Sequence, residues 1–444
     1  MKIKLFNRLK KNFWLILILF LALFLRIWRL GEVPPSLNWD EAALGYNAYS
    51  ILKTGRDEYG KLLPLIFKSF GDYKPGLYVY LAVPFVAVLG LTELAVRLPS
   101  AILGGLSVGG VALLVSELSR MKISRINPNR VGLTTAVVLA LNPWHINFSR
   151  GAWEANVALF LILLGVYFFL LWLKRKKNFY FFIFTFSLLL SLYTYQGAKL
   201  FVPLLILGLV VIFQQKLRRI PKKQVLLALL PFLLVTPLYL GALGKMGGRL
   251  RVMSVFSYPR PKNEIDKILI QDKTTQNSLL FRFFHSEALN FARGILGRYF
   301  NHFSGRFLFF EGDWQNPRLG VPYMGMLYFI DLVFVLLGLA ALIRIKGRSK
   351  YLLLWWLLAA PIPAALSRDA VSSVRALPMV IPLVVLVSLG IGKLIFWLKD
   401  KPKGLLLVAC CLLLTFGVLL IILISTISIG PRSTPKRCNM GTKR

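Results

Sequence analysis

The chain of 444 residues is 57% hydrophobic, with 55 Lys and Arg against 18 Asp and Glu. Its mean hydropathy of +0.65 exceeds what the core of a water-soluble protein of this length requires, so we expect lipid to be its main solvent. The charge of +37 indicates membrane orientation and not nucleic-acid binding, because the basic residues lie in short tracts between apolar runs. The three cysteines, Cys410, Cys411 and Cys438, offer neither a disulfide framework nor a zinc site.

Apolar runs of roughly 15 to 25 residues predict helical membrane spans, because hydrocarbon requires each segment to satisfy its own backbone polar groups. The first run follows a basic N-terminus and lacks a small-residue cleavage site, so we interpret it as an uncleaved span. The predicted class is all-α: one polytopic transmembrane helical bundle of about eleven spans, with short interfacial helices in its outer loops. The predicted spans are 13–30, 98–118, 131–147, 155–173, 178–195, 200–213, 224–243, 323–343, 351–366, 375–397 and 404–429.

The connections between the spans predict the orientation. Short connections rich in Lys and Arg, with Asp400 as their sole acidic residue, face the cytoplasm together with the N-terminus by the positive-inside rule. The other connections then face outward, and nearly all the acidic residues fall in them. Segment 76–92 is also apolar, but the charges permit only an odd number of crossings between Glu41 and Arg120, so we expect it to be half-embedded. The inner connections are 119–130, 174–177, 214–223, 344–350 and 399–403.

Neither an internal repeat nor a low-complexity linker divides the sequence, so we interpret residues 1–430 as one membrane domain. Its long outer loops are 31–97, which contains an acidic pair and the half-embedded segment, and 244–322. Residues 431–444 form a polar, basic tail that we interpret as truncated or frameshifted sequence. We therefore expect a multi-pass protein of the cell membrane with a cytoplasmic N-terminus and an extracytoplasmic active site.

The first outer loop places two adjacent carboxylates, Asp40 and Glu41, at the membrane surface soon after the first span. Partial desolvation there suits a carboxylate to accept a proton from a sugar or protein hydroxyl. The structural alternative is that one of them caps the helix predicted to start at 42–46. The sequence leaves both interpretations open.

The same loop continues into a charged turn with Gly and Pro at 70–78. Pro75 keeps Tyr73 and Lys74 out of a helix. Lys74 at the outer interface is well placed to pair with a lipid phosphate, which it meets as a compact cation. The alternative is that Lys74 only extends its charge toward water, as interfacial lysines commonly do.

The turn 142–154 joins two predicted spans on the outer side. If the second helix has begun by Ser149, Arg150 and Glu154 lie one turn apart and can pair. The functional alternative is that Arg150 orients the loop carboxylates or binds a phosphate oxygen through its planar fork of donors. His145 is interpreted as an interfacial hydrogen-bonding residue and not a metal ligand, because no second His or acid lies at ligand spacing.

The outer segments bring charges of both signs to one membrane face. The basic excess of 244–322 suits an anionic lipid headgroup, and this segment contains His302. Two further outer turns add Gln196 and Arg375. Ionisable groups near hydrocarbon are costly, so an assembly of both signs on one face favours a functional site. The members of this assembly are Asp40, Glu41, Lys74, Arg150, Gln196 and Arg375.

An ordered series of motifs after the first span resembles a known family. The motifs are Pro-Pro-x-Leu-Asn-Trp-Asp-Glu at 34–41, Lys-Pro-Gly-Leu-Tyr at 74–78, Arg-Leu-Pro-Ser-Ala at 97–101 and Ser-Arg-x-Ala at 149–152. They are similar to those of glycosyltransferase family 39, which contains the protein O-mannosyltransferases and aminoarabinose transferases with the GT-C fold. The likeness covers about residues 13 to 400.

This resemblance implies inverting transfer from a polyprenyl-phosphate-linked sugar to a protein, glycan or lipid acceptor on the outer face. Asp40 would be the general base and Glu41 a second acidic residue, while Lys74 and Arg150 would lie at the donor phosphate or support the catalytic loop. No redox cofactor is implied, and a divalent cation at the acidic pair is left open. The further substrate-binding candidates are Asp72, Tyr73, Glu154, Gln196, His302 and Arg375.

Two other functions are consistent with many spans and surface charges. A transporter or flippase of lipid-linked glycans would place its ionisable residues at mid-membrane and show paired halves. Here the polar cluster lies at one surface and no repeat is evident, which favours an enzyme. A polymerase or ligase of lipid-linked glycans is chemically close and differs in its donor.

Overall fold

A computed structural model describes residues 2–69, 72–120, 128–218, 254–257, 259–321, 324–345 and 347–398 of the protein. Regular structure in these residues is mostly α-helical, which confirms the predicted all-α class. The predicted spans 224–243 and 404–429 and the tail 431–444 lie outside the described residues.

The first part of the fold contains a long helix, a loop helix and a β-hairpin. Its elements are α1 (Lys2–Ile27), α2 (Trp39–Thr54), β1 (Ile66–Ser69), β2 (Asp72–Pro75) and α3 (Leu77–Leu89). The side chain of Asn38 accepts a hydrogen bond from the N–H of Glu41, and the Glu41 carboxylate accepts one from the N–H of Asn38. This capping box starts α2, with Asn38 as the N-cap and the Glu41 carboxylate three residues later. The predicted capping of this helix is therefore confirmed for the Glu41 side chain, although the N-cap residue itself is Asn38.

The β-hairpin and α3 follow from the charged turn. Tyr73 and Lys74 lie in β2, which confirms that they are kept out of a helix. Lys74 is directly opposite Phe67 of the antiparallel strand β1. With 13 residues, α3 is about 20 Å long, whereas the hydrocarbon layer is roughly 30 Å thick. The half-embedded position of 76–92 stays a prediction.

The middle of the fold is a helical bundle with one break that the sequence analysis did not expect. Its helices are α4 (Glu93–Leu118), α5 (Pro128–Leu141), α6 (Pro143–Arg150), α7 (Glu154–Arg175), α8 (Asn178–Leu192) and α9 (Ala198–Leu217). Asn142 caps α6 through the N–H of His145, and Pro143 takes the first helical position, where its missing N–H is tolerated. The predicted single span 131–147 is therefore wrong.

The rest of the described chain contains short helices within the segment 244–322 and then longer apolar helices. Its helices are α10 (Lys262–Gln271), α11 (Leu279–Phe284), α12 (Glu287–Asn301), α13 (Asp331–Ile343), α14 (Arg348–Ala359), α15 (Ile362–Ala365) and α16 (Val380–Leu398). Short 3-10 turns cover Val255–Ser257, Pro317–Leu319 and Leu377–Met379, and a π-helical turn covers Arg306–Phe310. The predicted span 351–366 is divided at Pro361, because proline has no N–H to continue the hydrogen bonds of α14.

Several helices have the length and composition of membrane spans. In the described residues, four segments are long and apolar enough to cross a bilayer: Glu93–Leu118, Glu154–Arg175, Ala198–Leu217 and Leu377–Leu398. Shorter apolar helices cover Phe13–Ile27, Leu77–Leu89, Asn178–Leu192 and Asp331–Ile343. The chain is thus a membrane protein with a helical bundle, and the total of about eleven spans stays a prediction.

The bundle is arranged around α4, which packs against α1, α5 and α7. Near the end of α4, the carboxylate of Glu117 forms ion pairs with Arg120 and with Lys174 at the end of α7, the latter at 3.2 Å. These contacts place residues 117–120 and the end of α7 at the same end of the bundle, as the charge pattern predicts for the connections that follow them. Which side of the membrane this end faces stays a prediction.

A smaller hydrophobic cluster fixes the outer loop to the bundle. It contains Leu44 and Ala48 of α2, Phe67 of the hairpin, Tyr78 of α3 and Val96 of α4, all of them buried. The Tyr78 hydroxyl also donates a hydrogen bond to the carbonyl oxygen of Val96 at 2.9 Å. The start of α2 and the hairpin are therefore held in one position beside the beginning of α4.

The contact between α13 and α16 yields a prediction about packing. A Cβ added at Gly390 would lie 2.0 Å from the carbonyl oxygen of Phe334, and one added at Gly338 would lie 2.0 Å from that of Leu386. Small residues let helix backbones approach closely within a membrane. We expect Gly390→Ala to force the helices apart and lower the free energy of unfolding by about 1–3 kcal/mol, measured as thermal unfolding in detergent.

Gly297→Ala in α12 is the matched control, because a Cβ at Gly297 would meet no atom within 4 Å. Alanine also favours the helix more than glycine does, so this variant is expected to melt at or above the wild-type temperature. Equal melting temperatures for Gly390→Ala and the wild-type protein would contradict the proposed close packing.

Candidate active site

The two adjacent carboxylates of the first outer loop have different surroundings. Asp40 lies in the first turn of α2, and its side chain is 30% exposed. The ammonium group of Lys74, in β2, donates a hydrogen bond to the Asp40 carboxylate, and the Lys74 side chain is only 10% exposed. The hairpin therefore brings a largely buried cation to a carboxylate that remains accessible from solvent.

Glu41 is buried in an ion pair with Arg97 of α4. The Glu41 side chain is 4% exposed and that of Arg97 is fully buried, with Nε 3.1 Å from Oε1 and Nη2 3.3 Å from Oε2. The N–H groups of Ala152 and Asn38 also donate to the Glu41 carboxylate, at 2.8 and 3.0 Å. Both oxygens of Glu41 thus accept hydrogen bonds from fixed donors, which suits a structural role.

The other donors of Arg97 hold the main chain of the loop. Nη1 donates to the carbonyl oxygens of Leu30 and Pro34 at 3.0 and 2.9 Å, and Nη2 donates to that of Ser36 at 2.7 Å. Arg97 opens the motif Arg-Leu-Pro-Ser-Ala at 97–101, and its role as an anchor of the loop was not predicted from the sequence. The signal was a charged residue within an apolar run, and such a residue needs a partner.

Arg150 holds the same loop from the opposite side. Its Nη1 donates to the carbonyl oxygens of Leu25 and Trp28, and its Nη2 donates to that of Val33, each at 2.9 Å. Burial and the charge of Arg97 lower the pKa of Arg150 to about 10, so its guanidinium remains charged at neutral pH. These contacts support the predicted role of Arg150 in orienting the loop.

The structure does not place Arg150 and Glu154 on one helix. Helix α6 ends at Arg150, Gly151 has an extended backbone, and α7 begins at Glu154. The expected one-turn spacing is therefore wrong, because α6 starts at Pro143 and ends before the next helix begins. His145 of α6 is fully buried, with Nδ1 2.8 Å from Nη2 of Arg26. The structure thus confirms a hydrogen-bonding His145 but places it in the core.

Two further predicted residues, Tyr73 and Gln196, contact each other at the strand that contains Lys74. The side-chain amide of Gln196 donates a hydrogen bond to the carbonyl oxygen of Tyr73 at 3.0 Å. The N–H of Leu77 donates to the carbonyl oxygen of Tyr193 at 3.3 Å. The outer turn before α9 therefore packs against the hairpin, whereas the side chain of Asp72 lies outside the described part of the structure.

His302 and Arg375 make their described contacts with another outer turn, residues 367–375. Nε2 of His302 accepts a hydrogen bond from the N–H of Ser372 at 3.0 Å, and Nη1 of Arg375 donates to Asp369 at 2.7 Å. Burial lowers the pKa of His302 to about 4, so its ring is neutral at pH 7. These two candidates thus share the turn 367–375, and in the described part of the chain none of their hydrogen bonds joins them to Asp40 or Lys74.

The segment 244–322 contacts the loop that contains Asp40 through Arg318, which was not among the predicted site residues. The guanidinium of Arg318 lies 4.8 Å from the ring centre of Trp39, the residue before Asp40. The side-chain amide of Asn147 donates to the carbonyl oxygen of Leu319 at 3.0 Å. No local pattern predicts a contact between positions so distant in the sequence.

The acidic pair does not match the oxygen-rich shell that a divalent cation prefers. Asp40 faces the ammonium of Lys74, and Glu41 faces the guanidinium of Arg97. Mg²⁺ and Ca²⁺ are bound mainly by carboxylate, carbonyl and water oxygens, and a nearby ammonium or guanidinium opposes them. Among the described residues, no three His, Cys, Asp or Glu side chains converge on a common point.

Solved structures define the class of this fold. ArnT from Cupriavidus metallidurans bound to undecaprenyl phosphate is 13% identical with a TM-score of 0.54, covering 90% of this chain and 64% of that one. Archaeal oligosaccharyltransferase AglB from Archaeoglobus fulgidus in complex with an inhibitory peptide and a dolichol-phosphate is 15% identical with a TM-score of 0.54, covering 97% and 57%. The chain therefore has the GT-C fold of membrane glycosyltransferases and spans about two thirds or less of these proteins.

The sequence itself gives the family. The model of the dolichyl-phosphate-mannose-protein mannosyltransferase family matches residues 16–245, just over half of the chain. The chain belongs to this family, which confirms the resemblance noted from its motifs. None of the curated proteins gives a significant match to the chain.

The contrast between the two carboxylates yields a prediction about stability. Glu41→Gln leaves the charge of Arg97 buried without its counter-ion, which typically costs about 3–5 kcal/mol. Asp40→Asn leaves the Lys74 ammonium beside a position that is 30% exposed, where water can replace the lost carboxylate, so the cost is smaller than for the enclosed Arg97. We expect Glu41→Gln to have the far lower thermal unfolding temperature in detergent. Each substitution replaces a carboxylate by the corresponding amide, at adjacent positions, so similar melting temperatures would contradict the structural role of Glu41.

Proposed function

We propose that the chain transfers a sugar from a polyprenyl-phosphate-linked donor to an acceptor hydroxyl on the extracytoplasmic face, with inversion and with Asp40 as general base. The observation that carries this proposal is the accessible Asp40 carboxylate beside the Lys74 ammonium, in a loop held by buried arginines. Membership of the mannosyltransferase family supports it. So do the undecaprenyl phosphate and dolichol-phosphate bound to the two GT-C neighbours.

The proposed reaction needs few groups from the protein. The acceptor oxygen attacks the anomeric carbon from the face opposite the phosphate, so that one bond forms as the carbon–phosphate oxygen bond breaks. Asp40 takes the hydroxyl proton, and the departing electron pair stays on the lipid phosphate. Lys74 stabilises this phosphate as a compact cation. A phosphate that draws Lys74 away from Asp40 also frees the carboxylate to act as a base.

The neighbouring residues position these two groups. Glu41 and Arg150 fix the loop so that Asp40 meets the acceptor in one orientation, which lowers the entropic cost of reaction. Tyr73 and Gln196 border the phosphate position through the hairpin. Asp72 and Glu154 keep their proposed roles in substrate binding. The acceptor is a protein, glycan or lipid hydroxyl.

The test of the base is Asp40→Asn. Purified chain in lipid is incubated with a panel of polyprenyl-phosphate sugars and candidate acceptors, and products are identified by mass spectrometry. We expect turnover to fall at least about a hundredfold, since general base catalysis commonly contributes that much or more. Glu32→Gln is the control, because Glu32 is an exposed acid of the same loop and pairs with Arg29.

Retained turnover in Asp40→Asn would remove Asp40 from the role of base. The donor panel also separates the alternative functions, because a polymerase or ligase would use a lipid-linked oligosaccharide. A flippase would move lipid-linked sugar between the leaflets without any new glycosidic bond.

The test of the phosphate site is Lys74→Met. Loss of a cation at the leaving phosphate is expected to raise the KM for donor or lower kcat by at least about tenfold, with a smaller effect on the KM for acceptor. Lys68→Met is the matched control, because Lys68 is an exposed lysine on the other strand of the hairpin. Unchanged donor KM and kcat in Lys74→Met would exclude Lys74 from donor binding.

A further inference from the structure

A polar cavity of about 400 Å³ lies between α12 and the turn 367–375 on the outer segment. The residues that line it include two amides, two guanidinium groups, a carboxylate and an aromatic ring. They are Asn290, Phe291, Arg298, Gln315, Arg368 and Asp369. Cavities of this size are typical of small-molecule binding sites.

Two buried polar side chains hold one wall of the cavity in place. His302 and Asp313 are 0% and 2% exposed. Nε2 of His302 accepts from the N–H of Ser372, and Oδ2 of Asp313 accepts from the N–H and hydroxyl of Ser373 at 2.7 and 2.8 Å. Buried polar groups with all these partners fix the conformation of the turn.

Three more contacts join the cavity-lining turn to the outer segment. The N–H of Ala370 donates to the side-chain oxygen of Gln315, and the Asn301 amide donates to the carbonyl oxygen of Ala370 at 3.3 Å. Nε of Arg298 donates to the carbonyl oxygen of Arg368 at 3.3 Å. The cavity is therefore built from fixed walls, as a binding site requires.

The lining does not suit a simple ion. An anion would meet the carboxylate of Asp369, and a cation would meet the guanidinium groups of Arg298 and Arg368. Asp369 itself is paired with Arg375, at 2.7 Å, so acceptors and donors of both signs are held close together. A polyhydroxylated ligand satisfies such a lining, because each hydroxyl both donates and accepts hydrogen bonds.

The cavity also has an apolar wall, which suits the C–H faces of a polyhydroxylated ring. Phe291 of the lining packs edge-on against Phe256, with ring centres 5.5 Å apart. An aromatic wall beside a few convergent polar groups is the usual make-up of a ligand pocket. A sugar ring likewise combines polar and apolar surfaces, because its hydroxyls lie at the edge and its C–H groups on the faces.

We infer that this cavity binds a glycosyl ring, supplied by the donor or by an already glycosylated acceptor. The inference rests on the proposed function, because only a chain that handles sugars meets this ligand. Gln315 of the cavity is three residues from Arg318, which lies over Trp39 beside Asp40. The same short stretch of chain therefore lines the cavity at Gln315 and contacts Trp39, beside Asp40, through Arg318.

Two glycines of α12 provide a matched test. Gly294 lines the cavity, and a Cβ added there would lie 2.7 Å from Nη1 of Arg298, whereas one at Gly297 would meet no atom within 4 Å. Leucine at either position favours the helix by a similar amount. Gly294→Leu therefore fills the cavity, and Gly297→Leu leaves it open.

Binding is measured on the full-length protein in detergent by saturation-transfer NMR, with methyl α-mannopyranoside, methyl glucopyranoside and methyl N-acetylglucosaminide as probes. We expect at least one glycoside to bind to wild type and to Gly297→Leu, and its signal to fall at least about fivefold in Gly294→Leu. Asn290→Ala, which removes a hydrogen-bonding amide without filling the cavity, is expected to weaken the same glycoside. Equal signals in all four proteins, or no signal from any glycoside with wild type, would overturn the inference.

Turnover measurements identify the source of the sugar. A raised KM for donor in Gly294→Leu assigns the cavity to the donor sugar, and a raised KM for a glycosylated acceptor assigns it to the acceptor. Unchanged values for both would overturn the inference. Asp40→Asn is expected to keep glycoside binding, so a failure of the proposed base and a failure of the cavity give different results.

Discussion

The buried ion pair between Glu41 and Arg97 determines the geometry of the candidate site. Both side chains are removed from water, and an isolated charge there would be costly, so each fixes the other. Successive residues of an α-helix point about 100° apart. When Glu41 turns inward to Arg97, Asp40 is therefore directed away from Arg97, toward the hairpin. The buried pair of Glu41 and Arg97 thus positions the Asp40 carboxylate outside the hydrophobic core.

Packing of the hairpin supplies the other half of the site. Phe67 is buried beside Tyr78 and Val96, and a Cβ added at Gly76 would lie 2.6 Å from the Phe67 ring. The strand that carries Lys74 therefore has little freedom to move. The Lys74 ammonium is largely buried, and a largely buried cation needs a partner of opposite charge. Asp40 provides this partner in the structure, and a lipid phosphate has the charge to replace it.

Part of this arrangement could be predicted from the sequence. The charged residues of the first outer loop and of the turn around Arg150 are local signals, and they predicted where polar groups gather. Pro75 is also a local signal: it predicted that Tyr73 and Lys74 lie outside a helix, and α3 begins just after it. Hydropathy alone failed at 131–147, where Asn142 and Pro143 carry the local signature of a new helix. The partner of Arg97 could not be predicted, because it lies 56 residues away. The same applies to His302 and its contact with Ser372.

The choice between arginine and lysine follows from what each position must do. A non-helical stretch beside a membrane helix leaves carbonyl oxygens that need donors. Arg97 and Arg150 each serve several of these oxygens, and Arg26 donates to the carbonyls of Leu139 and Ala140 at the end of α5. A planar guanidinium with five N–H groups can do this, whereas an ammonium is a compact point charge that changes partners easily. The arginines therefore hold the main chain of the loop, whereas Lys74 presents a compact cation to the accessible carboxylate of Asp40.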